Sequence, residues 1–163
     1  MAKRITLNDL NKEHKKISGQ KVIHILNGQY KVKIDEHIRE SKLFDMLSDI
    51  GQLLSPLASD NSVTPEDLAL ATQLSNVLFL RSFTDLPIPK ENDLSTLTKV
   101  YIALFDTGIL EEVTEKFNEK DMQKVKEKVV QYFKNAPQVE NMIGQIYSSM
   151  LQDDEIEKVQ KSS

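Results

Sequence analysis

Residues 68–83, Leu-Ala-Leu-Ala-Thr-Gln-Leu-Ser-Asn-Val-Leu-Phe-Leu-Arg-Ser-Phe, constrain the fold of this chain more than any other stretch. At 100° per residue, Leu70, Ala71, Leu74, Val77 and Leu78 form one apolar stripe, while Leu68, Phe79 and Phe83 fall roughly opposite, with Leu80 between. A helix that is apolar on two sides needs cover on both, so this segment is expected to be the central helix of a mainly α-helical bundle. Thr64-Pro65-Glu66-Asp67 supplies its start: a cap, a first-turn proline and acidic residues near the positive end of the helix dipole.

The other helices of the chain are expected to pack around it, and 163 residues suffice for one domain with a buried core. A single domain is expected over residues 1–152, followed by a flexible charged tail over 153–163, where the polar sequence offers little to bury. The net charge of -4 argues against non-specific binding to nucleic acid or anionic membranes. Without cysteine there is no disulfide, thiolate nucleophile or cysteine metal site. No apolar run reaches the ~20 residues that cross a bilayer, and the N-terminus lacks the apolar region of a secretory signal. The chain is therefore expected to be soluble and intracellular.

Before the central helix, Thr6 caps a short helix from Leu7 to about Ile17 whose apolar edge is thin, an arm expected to need docking for its order. Lys21 to Ile34 is the clearest local signal. Asn27-Gly28 is the favoured pair for a two-residue type I′ turn, which sets Ile25 opposite Tyr30, Ile23 opposite Val32, and Lys21 opposite Ile34. The apolar side of this hairpin, about residues 21–34, must then lie on a helix or another strand. Ser41 is the expected cap of a helix carrying Leu43, Met46, Leu47, Ile50, Leu53, Leu54 and Leu57 inward, ended or kinked by Pro56.

After the central helix, the prolines of Thr84-Asp-Leu-Pro-Ile-Pro-Lys90 favour an extended connection, with Leu86 and Ile88 as its anchors to the core. Asp93 or Ser95 then starts a helix with Leu94, Leu97, Val100, Tyr101, Leu104 and Phe105 on one face, stopped by Gly108. A short segment follows from Ile109 to Phe117. Asn118 and Asp121 open a further helix with Met122, Val125, Val129, Tyr132 and Phe133 inward. A last helix carries Val139, Met142, Ile143, Ile146, Tyr147 and Met150.

No catalytic constellation emerges, and no cofactor is implied. His14, His24 and His37 match no zinc spacing, and no second acid-base group is identified beside them. Asp45 and Asp49, one helical turn apart, suggest a hard-cation site, but the remaining oxygen ligands are missing and a solvated helix face explains them better. The same holds for Asp153-Asp154-Glu155. No serine sits in Gly-x-Ser-x-Gly, and no glycine loop suits a phosphate. Lys15, Lys16, Lys31 and Lys33 are the strongest basic concentration. With only Tyr30 interleaved, a solvated hairpin edge explains them better than an RNA-stacking surface, and edge lysines also discourage strand pairing.

Three features taken together resemble the tail assembly chaperones of long-tailed (siphovirus-type) phages and prophages of Gram-positive bacteria. One is the opening Ile5-Thr6-Leu7-Asn8-Asp9-Leu10 followed by a hairpin into a helix-rich body. The second is the central-helix exit Arg81-Ser-Phe83-Thr84-Asp-Leu86-Pro-Ile88-Pro89, followed by Leu97 and Val100-Tyr-Ile-Ala-Leu104-Phe-Asp-Thr-Gly108-Ile-Leu110-Glu-Glu-Val113. The third is the closing pair of amphipathic helices with a charged tail. The resemblance implies a non-enzymatic protein of the infected cell's cytoplasm that binds the tape measure protein, keeps it soluble, and helps tail-tube protein assemble around it. It also implies a longer product made by ribosomal frameshifting as a further partner, and allows a homo-oligomer. The family has no catalytic residues to carry over. For partner contacts the nominated residues are Phe79, Phe83, Leu86, Ile88 and Tyr147, with membership of the core as the competing reading. The alternatives to a chaperone are a structural tail or head-tail completion protein of the virion, and a small regulatory enzyme or antagonist of a host protein.

Overall fold

A computed structural model describes residues 2–55 and 65–134. Eight elements follow one another there: α1 (Leu7–Ile17), β1 (Gln20–Ile25), β2 (Tyr30–Asp35), α2 (Glu40–Leu54), α3 (Pro65–Phe83), α4 (Leu94–Asp106), α5 (Ile109–Thr114) and α6 (Glu119–Lys134). The fold is mainly helical with a two-stranded antiparallel hairpin near its N-terminus. Leu57, the stripe from Val139 to Met150 and the 153–163 tail lie outside the described residues. So do the side chains of Leu68, Ala71, Tyr132 and Phe133.

The central position of α3 follows from its two apolar sides. Leu74, Val77, Leu78, Phe79, Leu80 and Phe83 are all buried, between α2 on one side and α4 on the other. From α2 come Leu43, Met46, Leu47, Ile50, Leu53 and Leu54, the stripe its spacing announces. Phe117, just beyond α5, places its ring 5.0 Å from that of Phe79 in an edge-on contact, and Phe79 and Phe83 are themselves 5.0 Å apart. The second side of α3 is thus sealed by the α4–α6 region.

The hairpin register is the one the Asn27-Gly28 turn demands, including Ile25 opposite Tyr30 and Ile23 opposite Val32. Ile23, Ile25, Val32 and Ile34 face the core, whereas Tyr30, at the open end of that face, stays exposed. The turn contains one more unusual residue than expected. Leu26 joins Asn27 and Gly28 in the left-handed region, at φ 52°, where a non-glycine residue is disfavoured by about 1–2 kcal/mol. A compensating contact is visible: the Leu26 backbone N–H donates to both carboxylate oxygens of Glu112 in α5, at 3.1 and 3.2 Å. On the other edge, the chain leaving α3 lies beside β2. Asp85 donates its backbone N–H to the Lys33 carbonyl at 3.0 Å, and Lys33 N–H donates to Asp85 Oδ1 at 2.8 Å. The marginal hairpin is held by partners on both edges.

Helix starts divide into those the sequence marks and one it does not. Thr6 and Asp9 form a reciprocal capping box at α1, and Asp93 accepts from Thr96 N–H at α4. Asn118 accepts from Lys120 N–H ahead of α6. The cap of α2 is Arg39 and not Ser41, and no side chain bonds it; Glu40, in the first turn, instead meets Lys124 of α6 at 3.3 Å. Gly108 adopts φ 77° between α4 and α5, the stop its sequence suggests. Helix α5 ends at Thr114, short of Phe117, whose N–H closes a turn onto the Thr114 carbonyl.

The cap carboxylates make acid stability predictable in sign. Asp93 is held below its ordinary value of 3.8, first by the Thr96 hydroxyl and then by the Thr96 N–H. Asp9 is lowered by Lys3 first and then by Thr6. Each contribution is therefore fully present above the unfolded value, near pH 4, and is lost as pH falls through the lower folded value. Asparagine caps as well as aspartate but does not titrate. Asp93→Asn is expected to flatten the acid limb of the unfolding midpoint against pH, followed by circular dichroism; an unchanged limb would remove Asp93 from the account.

Candidate functional site

The end of α3 gathers more polar contacts between distant segments than any other described region. Three lines of sequence meet there: the end of β2, one face of α2 from Lys42 to Asp49, and the extended run from Thr84 to Asn92. Each brings a polar group to an otherwise apolar neighbourhood, where an unpaired charge is costly.

Asp35, the last residue of β2, is 5% exposed. Its carboxylate accepts from Lys42 Nζ at 2.7 Å and from Gln20 Nε2 at 2.9 Å. Lys42 also donates to the Ser82 carbonyl at 3.2 Å, at the end of α3, and its ammonium stands 6.0 Å from the centre of the Phe83 ring. One cation thereby joins the hairpin, α2 and α3. The alternating burial of β2 breaks at this point, since Ile34 and Asp35 are both buried. Alternation places the residue after an inward isoleucine on the outer side, so nothing in the sequence signalled the burial of Asp35 or named its partner.

A second clamp lies beside it on α3, centred on Arg81. Arg81, whose side chain is 11% exposed, donates to Asp49 Oδ2 of α2 at 3.0 Å and to Asn92 Oδ1 at 2.9 Å. Its other terminal nitrogen reaches the carbonyls of Pro89 and Lys90 at 3.3 and 3.2 Å. Asn92 Nδ2 donates in turn to Asp49 Oδ1 at 3.0 Å. The planar guanidinium suits this forked role. Asp49 is thus committed to Arg81 and Asn92 and does not form a cation site with Asp45. Among the described residues no group of three histidine, aspartate or glutamate side chains is placed to hold a metal.

These clamps fix the fate of the nominated partner residues. Phe79, Phe83 and Ile88 are buried, and Leu86 is half-buried against the core. Tyr147 lies outside the described residues. The expected apolar patch at the exit is therefore core for three of the five, because Arg81 pulls the 89–92 segment back over the end of α3. Leu86 and Ile88 act as the anchors of the proline-bearing connection that the sequence suggests.

Large apolar side chains are exposed elsewhere. On α4, Leu97 and Leu104 point inward, but Leu94, Ile102 and Phe105 point outward. This corrects the assignment of Leu94 and Phe105 to the inner face: they sit at the edge of the stripe, where α3 does not reach them. On α1 no residue is buried, and Leu7, Leu10 and Ile17 are exposed. His14 and His37 share a cleft of about 490 Å³ with Arg39, Glu40, Asp121 and Lys124. His24 stands on the outer side of the hairpin opposite Lys31. No described helix is long and apolar enough to cross a membrane.

A family model described as YomO matches residues 7–162. No curated protein and no solved structure matches.

Proposed function

The chain belongs to the YomO family, and from that premise we propose that it is a tail assembly chaperone, binding a phage tape measure protein and keeping it soluble while the tail forms. The observation that carries this reading is the ordered resemblance over residues 1–152, in which the opening arm, hairpin, central-helix exit and closing helices follow one another. The family name is of the type given to Bacillus phage and prophage proteins, which supports the same setting. A helix-rich body with an N-terminal hairpin is the architecture that the resemblance implies. The host cytoplasm is where such a protein would act, with tail-tube protein and a frameshifted longer form as further partners.

Co-expression tests the proposal. The long coiled-coil reading frame nearest to the gene for this chain should yield insoluble protein alone, and a soluble complex that co-purifies when this chain is present. Failure of both solubility and co-purification would overturn the reading. Abundance of this chain in purified particles would favour a structural tail or head-tail completion protein instead.

A further inference from the structure

We propose that the outer edge of β1, from Gln20 to His24, is a docking site for an extended acidic segment of a partner protein, which adds to the hairpin as a further strand. The main chain sets the position. Lys33 turns its N–H and carbonyl away from β1 and toward Asp85, and alternate residues of an antiparallel strand bond to opposite sides. Ile34, Val32 and Tyr30 therefore bond across the hairpin to Lys21, Ile23 and Ile25, their partners in register, as the Glu36 N–H does to the Gly19 carbonyl at 3.0 Å. Gln20, Val22 and His24 are left with N–H and carbonyl groups pointing outward. Leu26 continues the series, and its N–H is met by the Glu112 carboxylate. Among the described residues no hydrogen bond from another element reaches the main chain at the three positions before it.

An extended main chain matches that row. Its donors and acceptors repeat at every second residue, about 6.8 Å along the strand, which is how a peptide adds to a sheet edge. The side chains leave the row accessible: Gln20, Lys21 and His24 are exposed, and Val22, 51% exposed, offers an apolar contact at its centre.

Charge names the occupant. Lys21, Lys31 and Lys33 are exposed and, among the described residues, enter no ion pair. Lys31 and Lys33 stand across the ladder from His24 and Val22, and Lys21 lies on β1 itself. The neighbouring carboxylates are committed or lie beyond the row. Asp35 accepts from Lys42 and Gln20, Glu112 from Leu26, and Asp85, on the far edge of β2, from Lys33 N–H; Glu36 sits beside Gly19. A strand with acids at alternate positions is attracted by these lysines, whereas a second hairpin would bring six uncompensated lysines into one sheet. The edge lysines that keep copies of this chain apart thus select an acidic partner.

The test is fluorescence anisotropy of a labelled peptide, acetyl-Glu-Val-Glu-Val-Glu-Val-Glu, titrated with the full chain, with amide hydrogen exchange followed by NMR. Binding should protect the Val22 and His24 amides, weaken at high salt, and be lost when lysine replaces glutamate in the peptide. Two further peptides carry N-methyl groups on the odd or on the even residues, so each loses the donors of one edge while keeping its charge. One should bind about tenfold more weakly than the other. Val22→Pro removes an outward N–H and no bond of the hairpin ladder, so it should abolish binding with little change in the unfolding midpoint; His24→Pro replaces it if it does not fold. No binding up to millimolar peptide, equal binding of the two methylated peptides, binding of the lysine peptide, or undiminished binding by the proline variant overturns the proposal. So does self-association that Val22→Pro abolishes, which would give the edge to a second copy. A peptide of residues 153–163 that displaces the probe at lower concentration than the unlabelled probe itself also overturns it, giving the edge to this chain's own C-terminal segment.

Discussion

Replacing Lys42 by alanine is expected to destabilise the fold by about 3 kcal/mol, the low end of the range for breaking a buried ion pair. The cost does not come mainly from the lost attraction. It comes from Asp35, which is 5% exposed and would keep only its bond from Gln20. The low end applies because Lys42 itself remains 32% exposed, so water can reach part of the vacated space. The same logic predicts that Asp35→Leu combined with Lys42→Met is far milder than Lys42→Ala alone, since neither charge is then left unpaired. Urea unfolding of the three proteins measures both statements. A loss below about 1 kcal/mol in Lys42→Ala, the scale of a surface pair, would show that Asp35 does not depend on Lys42.

The second large effect separates two phenylalanines. Phe83→Ala should cost about 3–5 kcal/mol, because a fully buried ring leaves a cavity as well as losing its transfer energy. Phe105→Ala should stay within about 0.5 kcal/mol in dilute solution, since an exposed side chain leaves no cavity. Equal losses, read as unfolding free energies, would contradict the packing described for both.

That contrast also marks how far periodicity reads. Phe105 shares an edge with the inward stripe of α4, and the period alone cannot say how wide a face the neighbouring helix covers. Phe83 was nominated for partner contact at the exit of α3, with membership of the core as the competing reading. Its neighbours are the Phe79 ring at 5.0 Å on the same helix and, from α2, the Lys42 ammonium at 6.0 Å, which no spacing within α3 could name.

Local chemistry was legible where it was sufficient by itself. The hairpin register needed only Asn27-Gly28 and the alternation of Ile23, Ile25, Val32 and Ile34, and the caps at Thr6, Asp93 and Asn118 act within three residues. Arg81 was legible as an anomaly, a charge inside an apolar helix, but its four acceptors come from Asp49, Pro89, Lys90 and Asn92. No spacing rule joins those positions. The same limit applies to Leu26, whose backbone strain is matched to a carboxylate on another element.

That bond between Leu26 and Glu112 spans 86 residues, and it sets an order of events during synthesis. The hairpin turn can close as soon as residue 34 clears the ribosome, yet its seat arrives in two later instalments, at Asp85 and at Glu112. At about 5–20 residues per second, roughly 4–17 s separate the emergence of Leu26 from that of Glu112. Through that interval Ile23, Ile25, Val32 and Ile34 have no completed core to cover them. The lysines spaced along the same two strands, Lys21, Lys31 and Lys33, then act as the nascent chain's own guard against pairing with its neighbours on a polysome.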